Sequence, residues 1–455
     1  ETQPIVALAN LHGAARAEGF PPQALFALAE LSFLHAERTK SQSDYAAALI
    51  YAYALLFPET GTPPIGPLDP RARIAADLYN RALTSAFKRT AGGLVALENR
   101  SDFELGLPFG KVSVAVRPDA LEIGGYAFYD VRPVAELQVS GLRNRYRHPG
   151  IGSPIGAHAK PLPGVPPVVP LDPADLIPLT AVVIVERPIE GLMSGRLQAR
   201  FEIFASLDSL SFEDAEGREV ALESEPSAAL AASLADSRFW EAELRTFLGN
   251  AIGVRKKSAL FGIRPYLKGR IPVVFVHGTA SSPARWADMI NDLLADERLR
   301  ERYAYWTFTY DSGNPIAYSA LQLRKALTSA VAAGDPEGVD PCLQDMVVLG
   351  HSQGGLLTKL TAIDSGDRFW KNISETPFDD VKLEPKTRAL LQESLFLEPL
   401  PFVTEVAFLA TECPMSNGYL PVLADVSAKY ADRGVALVGV FPDPDTTAAQ
   451  VAAHA

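Results

Sequence analysis

The chain has 455 residues, 47% hydrophobic and 21% charged, enough for two to four domains around a large buried core. That composition excludes a wholly disordered, collagen-like or coiled-coil protein. With 42 Lys and Arg against 54 Asp and Glu, the net charge is −12, which disfavours nucleic-acid binding. The two cysteines, Cys342 and Cys413, are too few for a disulfide framework, and no Cys/His cluster suggests a metal site. No cofactor is expected.

In chain order, residues 1–92 read as a helical segment rich in Ala and Leu, with helices predicted over Pro22–Arg38, Asp44–Phe57 and Arg71–Lys88. The apolar run Tyr45–Phe57 falls short of the roughly 18 residues a membrane span needs, so it reads as a buried helix and no transmembrane segment is expected. In the third helix Ile74, Leu78 and Ala82 share one face while Arg73, Asp77 and Arg81 line another, the pattern of a helix packed on a core. No helical repeat has a convincing register.

From Gly110 the texture changes to short strand-like runs, Lys111–Val116, Val134–Ser140, Ala181–Glu186 and Arg196–Ala205. In the last, Leu197, Ala199, Phe201 and Ile203 alternate with Gln198, Arg200, Glu202 and Phe204, which suits a sheet with one buried face. The nine prolines and four glycines of Pro149–Pro178 predict a long loop. A β-sandwich-like domain is expected over 108–225 and a helical linker over 226–265.

The residues that carry chemistry follow. Ile271–Val276 is a continuous apolar run, as in a strand buried on both faces of a parallel sheet, and runs straight into His277-Gly278-Thr279. Met346–Leu349 leads into Gly350-His351-Ser352-Gln353-Gly354-Gly355 and then a helical stretch, Leu356–Ile363. Strand, sharp turn and helix are the context that the motif G-x-S-x-G requires, since the serine sits on a strained elbow with glycine two positions either side. A serine attacking an acyl carbonyl creates an oxyanion, which two backbone N–H groups stabilise. Gln353, after the serine, and Thr279, on the loop after the earlier strand, are the expected donors. Helices are predicted between the two motifs over Ala284–Leu294 and Ile316–Val331.

On these residues, 266–411 resembles the first part of an α/β-hydrolase of the serine lipase/esterase type, with Ser352 in the nucleophile's place and His277-Gly278-Thr279 in the oxyanion place. The whole of residues 1–400 also resembles bacterial proteins described only as α/β-hydrolases. The fold class implied is α/β: an incomplete hydrolase parallel sheet preceded by the helical and β-rich segments. The activity implied is hydrolysis of a small-molecule or lipid ester. His277, Gly278, Gly350, His351, Gly354 and Gly355 are expected to shape the elbow and its loop, and Asp311 to be a turn aspartate near the site mouth. The chain opens at Glu1 without Met, so the envelope or periplasm is expected if a leader precedes it, and the cytoplasm otherwise.

The catalytic triad of such folds runs Ser, then Asp or Glu, then His along the chain. After Ser352 there is one histidine, His454; a set of Ser352, Asp443 or Asp445, and His454 is rejected because a terminal histidine is poorly anchored. The acid and the base are therefore expected to be missing and activity to be impaired. Residues 403–455 instead resemble the opening half of a thioredoxin-like, peroxiredoxin-related domain: a strand over Val403–Ala410, Cys413-Pro414-Met415-Ser416, a helix over Tyr419–Tyr430 and a strand over Val435–Phe441. The tail proper is taken as 412–455. This offers a rival function, thiol redox chemistry at Cys413, whose position at a helix start favours the thiolate. Cys342 is expected to be inert. A third reading is a non-catalytic chimera joined near Val406–Thr411.

Overall fold

The helix α4 (Pro70–Ala86) meets a sheet through one hydroxyl group. Tyr79 Oη donates to Val183 O at 2.6 Å and accepts from Val183 N–H at 2.8 Å. Val183 lies on a strand whose ladder with its neighbour ends at Ser153↔Ala181, so the phenol satisfies backbone groups that the neighbouring strand no longer reaches. The computed structural model describes residues 4–66, 68–87, 102–116, 121–137, 139, 141–235, 258–279 and 281–406. These form a mixed α/β protein divided into two compact units, 1–163 with 173–236, and 164–172 with 237–455.

The first unit begins with α1 (Pro4–Ala17), α2 (Pro22–Thr39) and α3 (Gln42–Leu56), ahead of α4. The sequence pattern did not reveal α1, which buries only Ala15 and so lacks the apolar stripe that marks a packed helix. Helix α3 is buried without interruption from Tyr45 to Leu55, as its apolar run predicts. Asp69 caps α4, accepting from Arg71 N–H at 2.9 Å, with Pro70 at the first helical position. The buried face of α4 is Ala75, Leu78, Tyr79, Ala82, Leu83 and Ala86, while Ile74 is 44% exposed. The predicted face is thus right at Leu78 and Ala82 but rotated at Ile74, because Tyr79 occupies its centre.

Seven strands form the sheet of this unit: β1 (Phe103–Leu107), β2 (Gly110–Val116), β3 (Glu122–Ile123), β4 (Tyr126–Pro133), β5 (Ser153–Pro161), β6 (Ile177–Glu186) and β7 (Arg196–Ala205), in the order β1-β2-β7-β6-β5-β4-β3. A separate two-stranded ribbon joins β8 (Ser211–Glu213) to β9 (Glu219–Ala221). Helix α5 (Pro188–Ser194) links β6 to β7, and α6 (Pro226–Ala235) packs on β6. Among the described residues this is one large sheet with helices on it, in place of the two facing sheets expected of a sandwich, and the helical and β-rich segments share a single unit. Val134–Glu136 is a 3₁₀ turn where a strand was predicted. The Pro149–Pro178 stretch is not one loop, for it contains β5. Its Pro154 lies beyond the end of the β4 ladder at Pro133↔Ile155, where the missing N–H costs no bond to β4.

The second unit holds a five-stranded mixed sheet, β10 (Ala259–Gly262), β11 (Ile271–Val276), β12 (Tyr303–Thr309), β13 (Met346–Gly350) and β14 (Val403–Val406), in the order β10-β12-β11-β13-β14. The edge strand β10 is antiparallel to β12 and the other pairs are parallel. All six residues of β11 are buried, as a parallel strand covered on both faces should be. Between the strands lie α7 (Ala287–Ala295), α8 (Glu297–Arg302), α9 (Ile316–Gly334), α10 (Gln353–Lys359), α11 (Arg368–Lys371) and α12 (Pro385–Leu395). Val274, Trp306, Phe308, Leu323, Leu327, Val348 and Leu357 form the heart of the core.

The predicted helical linker 226–265 divides in two: α6 belongs to the first unit, and β10 opens the second sheet ahead of residue 266. Leu171 bridges to Gly262, which ties 164–172 to that edge. The readings that concern Cys413, Tyr419–Tyr430, Val435–Phe441, Asp443, Asp445, His454 and the join near Val406–Thr411 lie outside the described residues, apart from Val406 itself, the last residue of β14.

Candidate active site

Register places the carboxyl ends of β11 and β13 side by side. Val276 pairs with Gly350 on one flank and with Phe308 of β12 on the other, and His351 N–H extends the ladder to Val276 O at 3.0 Å. The chain leaves β11 for β12 on one side and then crosses back past β11 to β13. Such a reversal of strand order opens a crevice at the carboxyl ends of the strands. The loops 277–279, 310–314 and 351–352 emerge there.

Ser352 is exposed at the tip of the turn between β13 and α10, with φ 54° and ψ −122°. A positive φ at a non-glycine residue stores on the order of 1–3 kcal/mol and persists only where the surroundings impose it. Here they do. A β-carbon on Gly350 would stand 2.5 Å from Gly355 N, and one on Gly354 would stand 2.5 Å from His277 O and closer still to Val276 O. One on Gly278 would stand 2.9 Å from the Ser352 Cβ. At Gly355 the same test finds ordinary contact, 3.5 Å from Gly350 O. The turn is therefore drawn tightly against β11 by three glycines, and the fourth is free of that demand.

His277 is 2% exposed. Tyr310 N–H donates to its Nε2 at 3.4 Å, which leaves Nδ1 as the donor to Gly278 O at 3.0 Å. The Tyr310 ring stacks on the imidazole at 4.5 Å and its hydroxyl donates to His277 O at 2.8 Å. Burial pushes the His277 pKa down to about 4, so the ring is neutral at pH 7 with both nitrogens engaged. His351, beside Ser352, is half-buried with its ring edge-on to Trp286 at 6.5 Å. Its pKa is lowered, chiefly by burial and then by the Arg285 charge, and among the described residues its buried Nδ1 has no hydrogen-bond partner.

Thr279 and Gln353 meet across the mouth of the site. Thr279 Oγ1 donates to Gln353 Oε1 at 2.8 Å, and Gln353 Nε2 donates to Ser312 O at 3.2 Å. Neither residue's main-chain N–H has an acceptor among the described residues. Asp311 Oδ1 accepts from Gly313 N–H at 2.9 Å, the turn role expected of it. Cys342 N–H donates to Asp340 Oδ1 at 3.0 Å, and the thiol is half-buried. Sequence reading missed Tyr310 and the side-chain bond of Gln353. The aromatic and β-branched run Tyr303–Tyr310 was a signal for the strand that brings Tyr310 in.

Among the described residues no group of three or more His, Cys, Asp and Glu is placed to hold a metal ion, and no helix is long and apolar enough to cross a membrane. No protein-family model matches the chain, and no curated protein matches it. Among solved structures it is similar to esterase 2 of the planctomycete Thermogutta terrifontis. With the form phosphoramylated by tabun it shares 16% identity over 41% of this chain and 77% of that one, at a TM-score of 0.24. With the propionate-bound form the values are 16%, 42%, 79% and 0.25, and with the apo form 17%, 41%, 80% and 0.23.

Proposed function

We propose that the chain is a serine-dependent acyl hydrolase acting on carboxylic esters, with Ser352 as nucleophile and the main-chain N–H groups of Thr279 and Gln353 as oxyanion donors. The observation that carries this reading is the exposed serine at φ 54°, held by glycines that leave no room for a β-carbon. In the reaction Ser352 Oγ bonds to the ester carbonyl carbon and the C=O electron pair moves onto oxygen, between the two donors. Collapse expels the alcohol, which takes up the serine proton, and water then cleaves the acyl-serine.

His277 cannot take the serine proton, because both of its ring nitrogens are committed, and among the described residues no hydrogen bond joins the free Nδ1 of His351, or any other histidine, to Ser352 Oγ. We therefore infer slow turnover, sustained by substrate binding and the oxyanion donors. Hydrolysis of p-nitrophenyl butyrate by the full chain tests the reading. The expected result is a low rate that Ser352→Ala removes. A rate that survives this substitution would overturn the assignment.

A further inference from the structure

The side chains of Thr279 and Gln353 do a separate job from their backbones. We propose that they form a latch that holds the two oxyanion donors in register, so that Thr279 Oγ1 and Gln353 Oε1 and Nε2 are positioning groups for acyl transfer. The inference rests on the proposed role of Ser352 and adds to it.

The two donors come from different segments. Thr279 belongs to the loop after β11, and Gln353 opens the helix after β13. Their strands are paired as far as Val276↔Gly350, and His351 N–H to Val276 O is the last backbone bond between them. Beyond it, among the described residues, Thr279 Oγ1 donates to Gln353 Oε1 at 2.8 Å across the gap. The amide of Gln353 then continues to Ser312 O at 3.2 Å, in the turn that Asp311 Oδ1 fixes through Gly313 N–H. One amide thus fastens the loop after β11 and the loop after β12 to the start of α10. An oxyanion pocket works when its donors are fixed before charge develops, and misplacement by about 1 Å costs on the order of a hundredfold in rate. A hydroxyl–amide bond at an exposed site adds little to global stability, so a role in stability does not account for the arrangement as well as a role in alignment does.

The test is the rate at which a fluorophosphonate inactivates Ser352 in the full chain, resolved into the saturating rate kinact and the half-saturating concentration KI. Thr279→Val keeps the side-chain shape and removes the donor; it is expected to lower kinact by about tenfold or more with KI unchanged, within the cost of misalignment. Thr279→Ser restores the hydroxyl and is expected to return kinact to within about threefold of the parent. Gln353→Met, which removes both ends of the latch, is expected to match Thr279→Val. Thermal unfolding of all three should lie close to the parent's. If the parent is labelled at Ser352 and Thr279→Val reacts as fast, the latch is wrong while the hydrolase reading stands. A rise in KI at constant kinact would also overturn the latch, making Thr279 a substrate contact. If the parent is not labelled at Ser352, the hydrolase reading fails and the latch with it.

Discussion

A β-carbon on Gly354 would stand 2.5 Å from the carbonyl oxygen of His277. The turn that carries Ser352 and the loop that carries Thr279 therefore approach as closely as bare backbone allows. Gly354→Ala is expected to force them apart, costing about 1–3 kcal/mol as overpacking does, and to abolish reaction at Ser352. Gly355→Ala is the control. Its β-carbon has room, and alanine suits a helix interior better by about 0.5–1 kcal/mol. Urea denaturation of the two variants should move the midpoints in opposite directions, and a shift of the same sign in both would count against the tight elbow.

The neutral His277 makes stability depend on pH. Its folded pKa, about 4, lies below the ordinary 6.5, so between these values the unfolded chain binds more protons. The stabilisation is complete above pH 6.5 and is lost as pH falls towards 4, by ~3 kcal/mol at most. Asn in place of His277 keeps an amide donor and does not titrate. The stability gap between parent and His277→Asn should therefore narrow from pH 7 to pH 4.5, and a constant gap would show that the imidazole is not held neutral.

The parts of the site with a local signature were readable in sequence, and those made by tertiary contact were not. Ser352 sits in the predicted sequence of strand, turn and helix because the glycine spacing itself encodes how closely the turn packs. Ile271–Val276 reads as a buried strand because nothing in the run interrupts the apolar side chains. Tyr310, by contrast, reaches His277 only because β12 pairs with β11, and no local pattern announces that pairing. Pro149–Pro178 misled through its proline count, since prolines near strand ends leave the ladder between them intact. The face of α4 was misplaced at Ile74 because a period of four also fits a helix, and only the contact of Tyr79 with Val183 decides the rotation.

That contact has a measurable cost. Tyr79→Phe removes the partner of both Val183 N–H and Val183 O in a fully buried setting. With about 1–3 kcal/mol for each unsatisfied group, the loss should be on the order of 2–4 kcal/mol by chemical denaturation. A change under about 0.5 kcal/mol would mean that water or a shifted strand replaces the phenol.

Arg324 of α9 donates from Nη1 to the carbonyls of Leu360 and Thr361, at 3.0 and 3.3 Å, and from Nη2 to Glu398 O at 2.7 Å. It thereby fastens the chain after α10 to the segment leading into β14. Arg324→Ala is expected to cost about 1.5–3 kcal/mol, the range for hydrogen bonds to a charged group, with local amide exchange accelerated around 360–361 and 398. Lysine should recover less than half of the loss, because its single ammonium cannot reproduce the planar fork.

Whether Ser352 is a nucleophile is decided most directly by treating the full chain with a fluorophosphonate and mapping the adduct by peptide mass spectrometry. One adduct is expected, on Ser352, absent after prior denaturation and absent in Ser352→Ala. An intact chain that takes up no label, or takes it up equally on other serines, would contradict that role.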